Sequence, residues 1–363
     1  MKVFVTGATG FVTGTVTMQL LARGDQVRAL VRDASRGRTL ERAGATAVAG
    51  DLSDAGALRR GMEGVDAVVH GAAIYEVGIP PIRRPAMYEA NVLGTQRVLE
   101  AALAAGVRRV AYVSTVGIFG NTRGAVVDET YARSGPYTSY YEETKVRAHE
   151  IALRLAERGL GVSIAQPGGV YGQGDTSGMG GLMRNFVHGR LPFVPFPDTG
   201  LNFVHVDDVA RGHVLAAEAG REGHSYILGG ENMSLQAMLS TLAEICGLSA
   251  PRVRLHPRVV LPIVRTAEWA ETAVLRREPT LPSEPVRMAT TRMEYDDSRA
   301  RTELGYSSIP AREALVRAVR WYLEHGFVKP ARAERIRQAP ELAPERDRPR
   351  DSDDSYARER LAQ

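Results

Sequence analysis

The chain has 363 residues, is 44% hydrophobic and carries a formal charge of +4. That length is enough to bury a large core, as one domain or two. A single cysteine, Cys246, excludes an intrachain disulfide framework and points to a reducing, cytoplasmic setting. No leader-like segment precedes the first apolar run, and no uncharged apolar stretch of about 20 residues occurs. Residues 258–275 come nearest to one, but two arginines and two glutamates make a soluble helix the better reading. The charge is spread without a basic cluster, so neither nucleic acid nor membrane is expected as a partner.

Short apolar strands are expected at 2–6, 26–31, 46–51, 66–73, 108–115 and 162–169, with helix-like segments between them. That alternation predicts an α/β fold: a doubly wound parallel (Rossmann) sheet with its ligand edge at the C-terminal ends of the strands. Past about 170 the alternation fails in Gly- and Pro-rich stretches. The expected division is a dinucleotide-binding domain over 1–169 and 202–228. A smaller mixed substrate-binding cap then covers 170–201 and 229–325. Residues 331–363 are strongly charged and read as a disordered tail.

Gly7, Gly10 and Gly14 lie between the first strand and the first helix. Strand, glycines, helix is the order a dinucleotide site needs. Gly7 permits the tight turn, and Gly10 lets the backbone approach a pyrophosphate at the helix N-terminus. A second constellation is "SGPYTSYYEETK", residues 134–145. Lysine is scarce here: only Lys2, Lys145 and Lys329 occur. Lys145 lies four residues after Tyr141, so a helix puts the two on one face. At the same spacing Tyr140 has Thr144 and Tyr137 has Tyr141 itself. A phenol titrates near ~10, and a neighbouring ammonium favours its phenolate.

With the glycine turn upstream and YxxxK following, the chain resembles the extended short-chain dehydrogenase/reductase family, over roughly residues 1–325. The family's third glycine falls at Thr13 here. The resemblance implies that the turn from Gly7 through Thr9, Gly10, Phe11 and Val12 holds the cofactor. It adds Asp51 and Leu52 at the adenine, Gly71, Ala72 and Ala73 along the inner ribose, and Pro167 and Val170 at the nicotinamide. Tyr141 and Lys145 complete the cofactor set. Arg32 stands where NADP-using relatives carry an arginine, with Arg36 and Arg38 nearby, so NADP is favoured over NAD. The catalytic set implied is Thr115, Tyr141 and Lys145, with Ser114 kept as an alternative to Thr115 and Asn91 positioning the lysine. No metal is expected: His205, Asp207 and Asp208 are given a structural role. A homodimer is implied as well.

Leu201 replaces the arginine that nucleotide-sugar members use for a diphosphate, and Val116 replaces the acidic residue of dehydratases. The remaining resemblance is to the dihydroflavonol reductase-like branch. The expected reaction is NADPH-dependent reduction of a ketone or aldehyde, with an epimerase holding its cofactor tightly as the alternative.

Overall fold

A computed structural model describes residues 1–343. Strands β1 (Lys2–Thr6), β2 (Gln26–Val31), β3 (Thr46–Ala49), β4 (Ala67–His70) and β5 (Arg109–Val113) come first. After β6 (Val126–Val127) come β7 (Val162–Pro167), β8 (Gly169–Tyr171), β9 (Phe193–Pro195) and β10 (Gly200–His205). The last are β11 (Ser225–Leu228), β12 (Glu231–Ser234), β13 (Val253–Leu255) and β14 (Glu294–Tyr295). Seven of them form one parallel sheet in the order β11-β7-β5-β4-β1-β2-β3. The expected doubly wound sheet is therefore present. β7 is buried at every position and β4 likewise. Strands covered on both faces read as largely apolar runs, broken here only by Ser163, Gln166 and His70, which is why they were legible.

Helices α1 (Phe11–Ala22), α2 (Ala34–Arg42), α3 (Ala55–Met62), α4 (Arg84–Tyr88), α5 (Gly94–Ala104) and α6 (Tyr140–Glu157) belong to the first half. They are followed by α7 (Gly178–His188), α8 (Val206–Ala219), α9 (Leu235–Ile245) and α10 (Pro257–Trp269). The series closes with α11 (Glu284–Met288), α12 (Ser298–Leu304), α13 (Ala311–Glu324) and α14 (Pro330–Arg337). One face of the sheet packs Val3, Val5 and Val69 with α1 and α8 residues such as Val16 and Val214. The other packs Phe4, Val68 and Tyr112 with Leu99 of α5 and Ile151 of α6. The chain leaves β1 towards β2 and β3, then returns to β4 on the other side. The crevice beyond the ends of β1 and β4 is thus the topological switch point where ligands bind.

A separate core fills the cap, where Met183, Phe186, Leu239, Leu315 and Tyr322 are buried together. β10 joins β8 and β12 in a three-stranded sheet within this region, while α8 packs back on α1. The disordered tail expected from 331 needs correction for residues 331–343. Ala333 and Ile336 of α14, with Ala339 and Leu342, are buried in the cap core. Their spacing of three residues supplies one apolar stripe within an otherwise charged segment. The rest of that expectation, 344–363, lies outside the described residues.

Candidate active site

The turn after β1 is shaped by close approach. Gly7 has φ of +75°, and a Cβ there would stand 2.8 Å from the Ala72 amide nitrogen. Gly10 stands at the N-cap of α1 and supplies no side chain there, the arrangement that suits an anion at the positive end of a helix. Thr13, where the resemblance places a glycine, is accommodated from across the crevice. Its hydroxyl donates to the Gly7 carbonyl at 2.6 Å, and its methyl occupies the space beside Gly71. A Cβ on Gly71 would come within 2.3 Å of that methyl. The glycine needed for close packing has in effect moved to the facing segment. Thr9, Phe11 and Val12 are half-buried in this turn, and Ala72 and Ala73 follow β4 beside it.

At the end of β2, Arg32 is exposed. Its neighbour Asp33 turns back and accepts hydrogen bonds from the Ser35 amide and hydroxyl, both at 2.7 Å, capping α2. Asp51 is engaged in the same way by Ser53, and those bonds hold its carboxyl below the usual range. Leu52 packs on α5, where a Cβ at Gly94 would approach it to 2.6 Å.

α6 begins at Ser139, whose hydroxyl accepts from the Glu142 amide. The three tyrosines have different settings. The ring of Tyr137 lies under the Arg133 guanidinium at 4.3 Å and that of Tyr140 under Arg84 at 5.0 Å. Tyr141 meets the edge of Tyr75, with ring centroids 4.9 Å apart. Burial pushes the Tyr141 hydroxyl well above the ordinary phenol value, which keeps it protonated. Lys145 is buried and its ammonium is pushed down to about 7 by desolvation. It donates to the Val113 carbonyl at 2.7 Å and to the Tyr112 hydroxyl at 3.2 Å.

Ser114 and Thr115 part company after β5. The Ser114 hydroxyl is buried against His149 of α6 at 3.2 Å. Thr115 is half-buried and accepts from the Gly117 amide at the start of a short 3₁₀ turn, Val116–Phe119. Asn91 sits in a π-helical turn, Glu89–Leu93, and grips the next loop by both backbone groups of Ile74. Its amide also donates to Thr144 at 3.0 Å, so it reaches α6 beside Lys145. Pro167 ends β7 in the interior, and Val170 of β8 pairs with Val204.

Four residues that the sequence reading missed, Tyr112, Thr95, His70 and Thr6, join this set. Tyr112 stacks on His70, with centroids 5.7 Å apart. His70 bridges Thr6 at 2.7 Å and Thr95 at 3.0 Å, fully buried, and desolvation pushes it down to about 3. The chain from Lys145 through Tyr112, Thr95 and His70 to Thr6 is a continuous buried polar line. A tyrosine and a histidine inside apolar strands carry no signal that separates such a line from ordinary core. His205 accepts from the Asp207 amide and caps α8.

Residues 3–229 match the family described as "NAD dependent epimerase/dehydratase family". A Synechocystis protein named "Putative dihydroflavonol 4-reductase" is 38% identical, covering 90% of this chain and 96% of its own. "Sterol demethylase protein B" of Methylococcus capsulatus is 34% identical over 90% of this chain and its own full length. The crystal structure of gox2253 superposes with a TM-score of 0.79 at 36% identity, covering 90% of this chain and 99% of that one.

Proposed function

The chain belongs to the NAD dependent epimerase/dehydratase family, and within it we propose that it is an NADPH-dependent reductase of ketones or aldehydes. The observation that carries the choice lies at the places where a nucleotide-sugar enzyme needs cations for a diphosphate. Leu201 is packed into the cap core, and Arg184 is turned inward to the carbonyl of Asp175. An apolar carbonyl substrate fits these residues better. The two relatives, one named for a dihydroflavonol 4-reductase and one for a sterol demethylase, point the same way.

The residues that would hold NADPH are the Gly7–Val12 turn, Arg32, Leu52, the 71–73 segment, Lys145, Pro167 and Val170. When bound, the cofactor supplies the hydride. Asp33 is occupied in capping α2, which leaves Arg32 as the reader of a 2′-phosphate. Thr115 orients the substrate oxygen through its hydroxyl. Tyr141 is protonated in the free protein and would give its proton to the developing alkoxide, the phenolate so formed being the state that burial opposes and the Lys145 ammonium must stabilise. Lys145 would hold the ribose, and its ammonium would stabilise the Tyr141 phenolate and pass a proton back to it, to be replaced from solvent. Thr144, Asn91 and Ile74 tie the loop that carries Tyr75 to the catalytic helix.

The test is loss of NADPH absorbance with a panel of apolar ketones and aldehydes, run with NADH in parallel. NADPH turnover, lost in Tyr141→Phe and shifted towards NADH in Arg32→Glu, is the expected result. Cofactor that stays bound through purification, is never consumed and supports sugar epimerisation would sink this reading in favour of the epimerase.

A further inference from the structure

The segment that came nearest to a membrane span is a helix turned inside out. Val264 is the buried side chain of α10. At about 100° per residue, Val259, Pro262, Ile263, Trp269 and Ala273 fall within an arc of roughly 120° on the opposite side, counting through the π-helical turn Ala270–Val274. All five are exposed, Val259 and Ile263 at 65% and Trp269 at 63%. Arg258 and Arg265 stand along one edge of this arc, and both are exposed.

The face does not stand alone. Twelve large apolar side chains are left exposed among the described residues. Seven of them lie between Val253 and Leu281, and two more, Tyr75 and Ile82, lie on the loop over Tyr141. The two segments meet just past Leu281, where the Gly78 amide donates to Glu284 at 2.9 Å and a Cβ on Gly78 would come to 2.4 Å from Pro282. Together they concentrate exposed apolar side chains beside the loop that sets Tyr75 against Tyr141, which isolated surface residues do not do.

We propose that this apolar face docks on the surface of an anionic lipid bilayer, with α10 lying in the interface and the Tyr75 loop facing the lipid. Charge decides the occupant. Residues 252–278 hold six arginines and three glutamates, and Glu271 is tied to Arg277 and Thr280. A second copy on a twofold axis would set this basic patch against itself, bringing Arg258 and Arg265 near their own counterparts. Residues 344–363 hold one tyrosine and one leucine among their charges, too little to cover the face. An apolar helix face with a tryptophan and an arginine edge matches the lipid interface instead. Among the described residues no helix is long and apolar enough to cross a membrane. The expectation that the membrane is no partner is thus revised for docking on its surface.

The test is flotation of the full chain with phosphatidylcholine vesicles, with and without phosphatidylglycerol. Flotation is expected with the anionic vesicles and weakened by salt. Ile263→Ser with Trp269→Ser, and separately Arg258→Glu with Arg265→Glu, should each cut it by about tenfold or more. Val126→Ser, an exposed apolar residue elsewhere, should leave it unchanged. Circular dichroism on each variant checks that the fold is kept. The proposal is overturned if the wild type stays with the protein fraction, or if the variants float equally well. A dimer that the Ile263→Ser, Trp269→Ser variant splits would also overturn it, since a second copy then covers the face. Flotation reads no turnover, so failure of the reductase reading leaves this result standing.

Discussion

Lys145 gives its ammonium to the hydroxyl of Tyr112, at 3.2 Å, and lies 4.9 Å over the same ring. A buried cation is thereby held by a neutral phenol that burial keeps protonated. Removing the hydroxyl in Tyr112→Phe leaves the ring and its stacking on His70 but takes one acceptor from the lysine. We expect kcat to fall by roughly tenfold, in line with loss of one hydrogen bond to a charged group. The alkaline limb of the pH–rate profile should move as well, because burial already holds the ammonium down to about 7 and the variant removes one acceptor of its charged form. An unchanged profile, with only a lower melting temperature, would reduce Tyr112 to core packing.

The two hydroxyls after β5 have separate partners, His149 for Ser114 and the Gly117 amide for Thr115. Thr115→Ala should lower kcat by about 10²-fold or more with little effect on cofactor affinity. Ser114→Ala removes only the bond to His149 and should cost about 1 kcal/mol of stability while activity persists. Steady-state kinetics and denaturant titration on both variants check this. The reverse pattern would make Ser114 the substrate hydroxyl.

Thr13 and Gly71 form a reciprocal pair, one supplying the methyl that the other makes room for. Gly71→Ala drives a Cβ to 2.3 Å from the Thr13 methyl and 2.9 Å from Val113. Overpacking of this kind costs about 1–3 kcal/mol. In a Thr13→Gly background most of that cost should vanish, and a double-mutant cycle by urea denaturation would measure the coupling. Additive effects would mean that the strain falls on Val113 instead.

Acid should loosen the fold before it touches the carboxylates. Burial, with the Lys145 charge adding to it, pushes His70 down to about 3 and His149 and His213 to about 4. In the unfolded chain each titrates near 6.5, so below that pH the unfolded state binds more protons. The stability these residues contribute is complete above about pH 6.5 and is lost as pH falls towards 4. Each contributes up to about 2 kcal/mol of the loss by pH 5. Urea midpoints at pH 7.5 and pH 5 measure it, and equal midpoints would contradict neutral burial of the three imidazoles.

The legible parts of the chain were those where one residue type has one physical use. Gly7 was readable because a positive φ and a backbone 2.8 Å away admit no side chain. Buried parallel strands were readable as apolar runs. The π-helical turn that aims Asn91 at Ile74 was not, since its i→i+5 bonding leaves no residue pattern. Tyr112 and His70 were lost among core residues for a similar reason. Their meaning comes from each other and from Lys145, which lie 42 and 33 residues further along the chain from His70 and Tyr112 respectively. The helix at 330–337 was hidden by arginines that surround only a few buried side chains.

The late arrival of that helix orders the birth of the protein. The main sheet gains its last strand at Leu228, and Tyr306 completes the core against it. The cap core still waits for Ile336 and Leu342. During synthesis at about 5–20 residues per second, the main sheet can close while the second core remains unfinished. A ribosome that stops before Pro330 therefore releases a chain with every strand of the main sheet and a second core left open where Ala333, Ile336, Ala339 and Leu342 would close it.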